Sequence, residues 1–178
     1  ISQYLSTVNL QDIDIEMLHL LLQSSIDAAK RKVAGQFSTP ANLASLLVRL
    51  TVENKELNVF DPCCGTGTII NQAYMLKEEN EIPHNEILSS IWASDKHSFP
   101  IQLATLTLSK PNNIGEIVNI FSSDVTKLNV DQRIIFRNPN DGTEVEKRLP
   151  NMNYIVSNLP FIREKAIKEL DRKSTRLN

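Results

Sequence analysis

The sequence lacks the features that mark membrane-spanning and secreted proteins. Its 178 residues contain no run of eighteen apolar residues, so no segment is predicted to span a membrane. The first residues, ISQYLSTVNL, have neither the basic region nor the apolar region of a signal peptide. They also lack an initiator Met, so we expect the natural N-terminus to lie upstream.

Cysteine, histidine and excess positive charge are also scarce. The two cysteines, Cys63 and Cys64, are adjacent, and neighbouring thiols rarely bridge or form a zinc site on their own. We therefore expect reduced thiols and a cytoplasmic protein. The three histidines belong to no plausible ligand set, so no metal is predicted. A net charge of −2 argues against a strongly basic nucleic-acid-binding module, although such a module could lie in a missing part.

What is present is the pattern of one globular domain. Hydrophobic residues make up 41% of the chain, enough for a real core. Apolar residues recur at helical spacing in residues 12–32 and 41–50, which predicts helices before the first strand. Four buried strands are predicted, at residues 57–60, 90–95, 117–121 and 153–158, with helices at 68–76 and 101–108. Strands that alternate with helices predict an α/β fold with a parallel sheet.

Two further segments complete the prediction of secondary structure. Residues 77–87, KEENEIPHNEI, are polar, and we interpret them as a helix end followed by a surface loop. Residues 133–149 resemble a β-hairpin with the sequence Asn-Pro-Asn-Asp-Gly at its tip. Neither segment is predicted to contain catalytic or ligand-binding residues.

A glycine-containing turn, DPCCGTGT at residues 61–68, follows the first predicted strand. Glycines there let a ligand approach the backbone, and the next helix presents free N–H groups. The spacing is not G-x-G-x-x-G, and no lysine follows as in a phosphate-binding loop. A carboxylate at the strand end, Asp61, instead suits a ligand with an ammonium group. In the alternative interpretation, the segment is only a tight turn with Asp61 as a helix cap.

This turn resembles motif I of the S-adenosylmethionine-dependent methyltransferases that act on amino groups. The resemblance implies a Rossmann-like fold, with S-adenosylmethionine as the cofactor. It also implies that Asp61 contacts the methionine end of the cofactor and that Gly65 and Gly67 leave room for the cofactor to bind. Cys63 occupies one of the variable small-residue positions of the motif and would lie in the same binding site.

The segment SNLPF, residues 157–161, resembles the catalytic motif of this family, Asn or Asp followed by Pro-Pro and Tyr or Phe. An exocyclic amine is a poor nucleophile because its lone pair is delocalised into the purine ring. The resemblance implies that the Asn158 carboxamide oxygen and the Leu159 carbonyl hold the two amine hydrogens. Pro160 would stiffen the turn, and Phe161 would stack on a base that has left the duplex.

The catalytic segment departs from the family pattern at one position. Leu159 stands where the first proline of the motif is usual, which keeps the backbone carbonyl but loses some rigidity. In the alternative interpretation, the segment is a plain turn from a strand to a loop.

The loop GQFSTP, residues 35–40, resembles motif X of the adenine methyltransferases, which closes over the methionine part of the cofactor. The resemblance implies four cofactor-binding residues there: Gln36, Phe37, Thr39 and Pro40. Its position before motif I matches the gamma class, which includes type I modification subunits and many type II enzymes. Without this context, the loop would be interpreted only as the end of one helix and the beginning of the next.

Two further acids follow predicted strands. A carboxylate at Asp95 can bind both ribose hydroxyls of the cofactor. Asp124 could accept a hydrogen bond from the amino group of the cofactor adenine. Each acid could instead be a helix cap or a solvated turn residue.

These resemblances together identify an adenine-N6 DNA methyltransferase that acts on a flipped adenine in double-stranded DNA. The enzyme would belong to a restriction-modification system, with specificity and restriction subunits as further partners. An RNA guanine-N2 methyltransferase is the nearest rival, and the GQFSTP loop counts against it. Glutamine methylases share the catalytic tetrapeptide but lack that loop. A non-catalytic cofactor-binding module is a third possibility, against which the intact Asn158, Pro160 and Phe161 argue.

The predicted domain organisation has three parts. Residues 1–34 form a helical segment, and residues 35–170 form a partial catalytic domain with the front half of the family's parallel sheet. Residues 171–178, DRKSTRLN, match codon for codon the translation of a common sequencing adapter and are expected to be non-native. An ordinary polar helix end is the alternative. Because the family's sheet and target-recognition region continue beyond this point, we expect the fragment itself to be inactive.

Overall fold

The computed structural model describes residues 39–110 and 115–159. The predicted helix at 12–32 and the predicted tail at 171–178 lie outside the described residues. The helices are α1 (Ala41–Thr51), α2 (Thr68–Glu79), α3 (His84–Ser90) and α4 (Ser98–Leu108). The strands are β1 (Val59–Asp61), β2 (Ile91–Asp95), β3 (Asn119–Ser122), β4 (Arg133–Arg137), β5 (Glu144–Arg148) and β6 (Tyr154–Ile155). A short 3-10 turn covers Val125–Lys127.

Four of the strands form one parallel sheet in the order β3-β2-β1-β6. Val59 of β1 pairs with Ile91 on one side and with Tyr154 on the other, and every pairing in this sheet is parallel. The predicted α/β fold with a parallel sheet is therefore confirmed. The strand order runs outward from β1 to β3 and then returns to the other side of β1. Such a reversal opens a crevice at the carboxyl ends of the strands, where open α/β sheets bind their ligands.

The strands bury alternate side chains on two faces of the sheet. On one face, residues such as Val59, Ile91 and Ile120 join buried side chains from all four helices. On the other face, Phe60, Trp92 and Phe121 meet a second cluster from the β4–β5 hairpin: Ile134, Phe136 and Leu149. Burial on both faces explains why the strands have nearly continuous apolar sequences.

The hairpin was predicted correctly, and it covers the second face of the sheet. β4 and β5 are antiparallel, with Arg137 paired to Glu144 next to the tip. The β4 side chains alternate between exposed and buried, so that Phe136 reaches the rings of Trp92 and Phe121. The ring centroids lie 6.2 Å and 6.4 Å apart in edge-to-face arrangements. This geometry is favourable for aromatic pairs and fixes the hairpin on the sheet.

Two predictions about secondary structure were wrong. Residues 77–87 are not mainly a loop, because α2 extends to Glu79 and α3 begins at His84. The short α3 buries only Ile87 and Leu88 of its apolar side chains, so its periodicity is too brief to be visible in the sequence. The fourth strand covers residues 154–155 instead of 153–158. After it, the N–H of Val156 still donates to the carbonyl of Phe60, and the chain then leaves the sheet.

Candidate functional site

The predicted site residues of the described chain lie at the carboxyl edge of the parallel sheet. Asp61 ends β1, Asp95 ends β2, and Asp124 comes two residues after β3. Burial raises the pKa of the Cys63 thiol, and the charges of these three acids raise it further. All three carboxylates therefore act on one region of the site. The predicted residues Gln36, Phe37, Pro160 and Phe161 lie outside the described residues.

The glycine-containing turn is held by hydrogen bonds from two neighbouring elements. The N–H of Cys64 donates to the carbonyl of Ser94 in β2 at 2.9 Å. The hydroxyl of Ser94 in turn donates to the carbonyl of Pro62 at 3.0 Å. From α4, the Thr107 hydroxyl donates to the carbonyl of Thr66 at 3.2 Å. These bonds fix a turn that has no regular secondary structure of its own.

The two glycines of the turn have different environments. Both have a positive φ, +53° at Gly65 and +90° at Gly67, which favours glycine. A Cβ atom added at Gly67 would lie 2.9 Å from the Cα of Ala104, so Gly67 permits close packing of the turn on α4. A Cβ added at Gly65 would meet no atom of the described residues within 4 Å. In that part of the chain, Gly65 therefore faces open space in which a ligand can approach the backbone.

Asp61 is almost completely buried, with 1% of its surface exposed. Its Oδ1 accepts the N–H of Cys63 at 3.1 Å. Burial raises the pKa of the Asp61 carboxyl to about 6, the Asp95 charge adds to the rise, and contacts with Ser157 and the Cys63 N–H oppose it. A positively charged ligand group beside Asp61 would favour the carboxylate form and lower this pKa.

Ser157, immediately before the catalytic-like segment, has a buried hydroxyl. This oxygen makes no well-formed hydrogen bond within the described part of the chain, although it lies close enough to Asp61 to lower the pKa of that carboxyl. A buried hydroxyl without a partner is uncommon in folded proteins. Together with Asp61, it marks this end of the sheet as a place where polar groups remain available to a ligand.

Asp95 joins the second strand to the glycine-containing turn. Its Oδ2 accepts the N–H of Gly65 at 3.1 Å, and its Oδ1 accepts the N–H of His97 at 2.9 Å. An ionised carboxylate has about four acceptor positions, so both oxygens can still accept hydrogen bonds from hydroxyl groups. The arrangement is compatible with the predicted ribose contact, which stays a prediction.

Asp124 has the geometry of a cap. Its Oδ1 accepts from both the N–H and the hydroxyl of Thr126, at 3.1 Å and 2.8 Å. Its Oδ2 lies 3.1 Å from the Nζ of Lys96. The two bonds from Thr126, followed by the contact with Lys96, lower the pKa of Asp124 to about 2. The contact between Asp124 and the cofactor adenine stays a prediction. Lys96 would compete with the adenine amino group for Asp124.

The loop before α1 meets the segment after β6. The Nδ2 of Asn158 donates to the Oγ1 of Thr39 at 3.2 Å, across 119 positions of the sequence. The carbonyl of Pro40 accepts the N–H of Ala44 and thereby begins α1 directly after Thr39. Leu159 follows with its side chain about half exposed. Two segments that resemble motifs of one family, far apart in sequence, thus lie in contact.

Some contributors to the site were not found from the sequence. Ser94 fixes the glycine-containing turn, and its signal was a serine inside an otherwise apolar strand, because a buried hydroxyl needs a partner. The ion pair between Lys96 and Asp124 was not predicted. The hydroxyl of Ser157 has no comparable signal in the sequence.

The described residues offer neither a metal-binding cluster nor a membrane-spanning helix. Within residues 39–110 and 115–159, no group of three or more His, Cys, Asp or Glu side chains is arranged to hold a metal ion. No helix in the same part of the chain is long and apolar enough to cross a membrane.

Comparison with known families gives a match over most of the chain. The family model described as N-6 DNA Methylase matches residues 15–176. This range includes the glycine-containing turn, the catalytic-like segment and the loop before α1. It covers more than half of the chain and therefore establishes the family.

Several solved structures are also similar to the chain. One is assigned as a modification subunit of a type I restriction enzyme from Vibrio vulnificus YJ016, with 22% identity and a TM-score of 0.43, covering 64% of this chain and 25% of the other. Another is assigned as a class I S-adenosylmethionine-dependent methyltransferase from Listeria monocytogenes, with 16% identity and a TM-score of 0.48, covering 92% and 46%.

A third solved structure is a DrdV–DNA complex, with 18% identity and a TM-score of 0.42, covering 55% of this chain and 11% of the other. The chain thus spans between 11% and 46% of the lengths of these three proteins. At such TM-scores, the likeness supports no conclusion about function.

Proposed function

The chain belongs to the N-6 DNA methylase family, and we propose that the protein containing it transfers a methyl group from S-adenosylmethionine to N6 of a flipped adenine in double-stranded DNA. The observation that carries this proposal is the juxtaposition at one sheet edge. The buried acid Asp61, which precedes the open glycine turn, interacts with Ser157, and the next residue, Asn158, hydrogen bonds to Thr39 in the loop before α1. A cofactor site and an acceptor for an amine thereby share one crevice.

The residues present fit S-adenosylmethionine. Gly65 leaves open space next to the backbone, and the carboxyl of Asp61 would favour the ammonium group of the methionine part. Asp95 retains acceptor capacity for the ribose hydroxyls. When bound, the cofactor supplies a methyl group on a positively charged sulfur, which makes that methyl electrophilic. We assign Gln36, Phe37, Pro40 and Cys63 to the walls of the same site.

Asn158 and Leu159 would prepare the adenine amine for attack. The carboxamide oxygen of Asn158 and the backbone carbonyl of Leu159 each accept one hydrogen of the amine, which turns its lone pair away from the ring. Pro160 would restrict the backbone of this segment, and Phe161 would stack on the flipped base. Positioning of this kind contributes up to ~7–11 kcal/mol in well-oriented reactions.

The proposal concerns the longer protein in which this chain would function. The expectation from the family resemblance that the chain alone is inactive is part of this proposal. We place the whole protein in the cytoplasm, in a restriction-modification system with specificity and restriction subunits as partners. Substantial methylation of DNA by residues 1–170 alone would contradict the expectation of inactivity.

Substitution of Asn158 tests the proposed function. Asn158→Ala removes the side-chain acceptor, so transfer of a labelled methyl group to DNA should fall by at least about a hundredfold, while cofactor binding stays within about twofold. Filter-bound radioactivity measures transfer, and calorimetry measures binding. Ser45→Ala, a change in the middle of α1, is the control and should behave like the parental protein. Full methylation by the Asn158→Ala variant would remove Asn158 from the reaction.

A further inference from the structure

We propose that Thr39 is a positioning residue, which holds the carboxamide of Asn158 so that its oxygen faces the adenine amine. This inference rests on the proposed function and adds to it a role for the loop before α1. The observation behind it is the 3.2 Å hydrogen bond from the Nδ2 of Asn158 to the Oγ1 of Thr39. Thr39 would then act through Asn158 rather than through the cofactor.

The chemistry of a carboxamide makes its orientation decisive. One end donates two hydrogen bonds and the other end accepts, and the two ends have nearly the same shape. Rotation by half a turn would present N–H groups to the adenine amine, which needs an acceptor. In the observed orientation, Thr39 accepts from the NH₂ end, so the oxygen is left for the substrate. A threonine hydroxyl can also donate to a carboxamide oxygen, so it is the observed direction of this bond, and not the presence of Thr39 alone, that leaves the oxygen of Asn158 to the substrate.

Thr39 is well placed to serve as this partner because the residues after it are rigidly anchored. The carbonyl of Pro40 begins the hydrogen bonding of α1, and Ala44 and Val48 of that helix are completely buried. The Nη2 of Arg49, in the last turn, lies 2.8 Å and 2.6 Å from the two carboxylate oxygens of Glu79 at the end of α2, in a half-exposed ion pair. The backbone that follows Thr39 is thus anchored in the core.

The other side of the hydrogen bond is anchored as well. The N–H of Val156 donates to the carbonyl of Phe60 at 3.0 Å, two residues before Asn158. The hydroxyl of Tyr154 accepts the N–H of Asn54 at 3.0 Å, which ties β6 to the segment that follows α1. Asn158 is therefore presented to Thr39 by a strand whose own position depends on α1 and β1.

A positioning role and a direct cofactor contact predict different kinetics. If Thr39 positions Asn158, loss of the Thr39 hydroxyl lowers kcat, because the adenine amine is held less well, and leaves the cofactor Kd unchanged. If Thr39 contacts the cofactor, as the motif X resemblance implies, its loss weakens cofactor binding. The ratio between the effect on kcat and the effect on the cofactor Kd therefore separates the two roles.

The experiment compares Thr39→Val, which removes the acceptor, with Thr39→Ser, which keeps it, in the full-length protein. Thr51→Val, the same change at the other end of α1, is the control. We expect Thr39→Val to lower kcat about three- to tenfold, the effect of one lost neutral hydrogen bond, with the cofactor Kd within twofold. Thr39→Ser should recover most of the parental kcat. A raised cofactor Kd with normal kcat, or no rescue by serine, would overturn the proposal.

A second readout is independent of activity. The side-chain amide of Asn158 gives a pair of signals in the NMR spectrum of asparagine-labelled protein, identified by their loss in Asn158→Asp. These signals should shift in Thr39→Val and return close to their parental positions in Thr39→Ser. Unchanged signals in Thr39→Val would show that Thr39 does not hold the carboxamide. If the parental protein methylates nothing, the proposed function fails, and the NMR result alone decides this inference.

Discussion

At the scale of single residues, Asp61 links the fold to the proposed cofactor. Its carboxyl is buried at the end of β1, and burial raises its pKa to about 6. A buried carboxylate is unfavourable unless it is paired with positive charge or hydrogen-bond donors. The ammonium group of a bound cofactor would supply that charge. Ionisation of Asp61 and cofactor binding should therefore favour each other.

Asp61→Asn should remove a pH dependence from the stability of the cofactor-free protein. The folded-state pKa of about 6 lies above the usual 3.8, so the folded protein holds this proton more tightly than the unfolded chain does. Stability should consequently fall as the pH rises from about 4 to about 6, by an amount on the order of 3 kcal/mol. Urea unfolding at several pH values measures this difference between parent and variant.

The same substitution predicts the pH dependence of cofactor binding. In the parental protein, cofactor affinity should increase as the pH rises through about 6, because the carboxylate form binds the ammonium group. Asp61→Asn should show weaker binding with little dependence on pH in this range. Identical pH profiles for the two proteins, in both stability and binding, would contradict the account of Asp61.

At the scale of elements, the glycine-containing turn combines two separate requirements. Gly67 allows close contact with α4, and Gly65 leaves open space beside the backbone. The turn keeps its shape through bonds from Ser94 in β2 and Thr107 in α4. One glycine therefore serves the packing of the fold, while the other is available to a ligand.

Alanine substitutions should separate these two requirements. Gly67→Ala places a Cβ against the backbone of Ala104 at a positive φ, so it should destabilise the protein by about 2–4 kcal/mol. Gly65→Ala meets only the backbone strain and should destabilise by about 1–2 kcal/mol. It should nevertheless weaken cofactor binding at least tenfold, because the added methyl group enters the proposed site. Thermal unfolding and calorimetric titration measure the two effects, and normal cofactor binding by folded Gly65→Ala would contradict the assignment.

The sequence predicted elements well where each had a repeated local signal. The parallel strands are short apolar segments followed by Asp or Asn, so both the sheet and the edge that carries the site could be predicted. Helix α3 could not, because it has a single turn of buried residues in a polar segment. The contact between Thr39 and Asn158 was also beyond prediction, since it depends on the tertiary arrangement of residues 119 positions apart.

At the scale of the whole molecule, the sheet is covered by helices on one face and by the β4–β5 hairpin on the other. The hairpin is therefore part of the core and not a surface decoration. Its turn was visible in the sequence, but its partner surface was not, because Phe60, Trp92 and Phe121 belong to three different strands. Loss of the hairpin would expose these aromatic side chains.

Two neighbouring substitutions in β4 test this role. Phe136 is 6% exposed and contacts two aromatic rings, so Phe136→Ala should destabilise the protein by about 3–5 kcal/mol. Ile135 is 63% exposed, and Ile135→Ala should change stability by less than about 0.5 kcal/mol. Denaturant unfolding of both variants gives the comparison. Equal effects of the two changes would show that the hairpin does not cover the sheet.

The identity of the methylated nucleoside tests the central claim most directly. The full-length gene should be expressed in a bacterial host without adenine methylation of its own, and the nucleosides of its DNA and RNA quantified by mass spectrometry. We predict N6-methyladenine in DNA, and its absence when Asn158 is replaced by Ala. Methylated guanine in RNA with unmodified DNA would contradict the account and favour an RNA guanine-N2 methyltransferase.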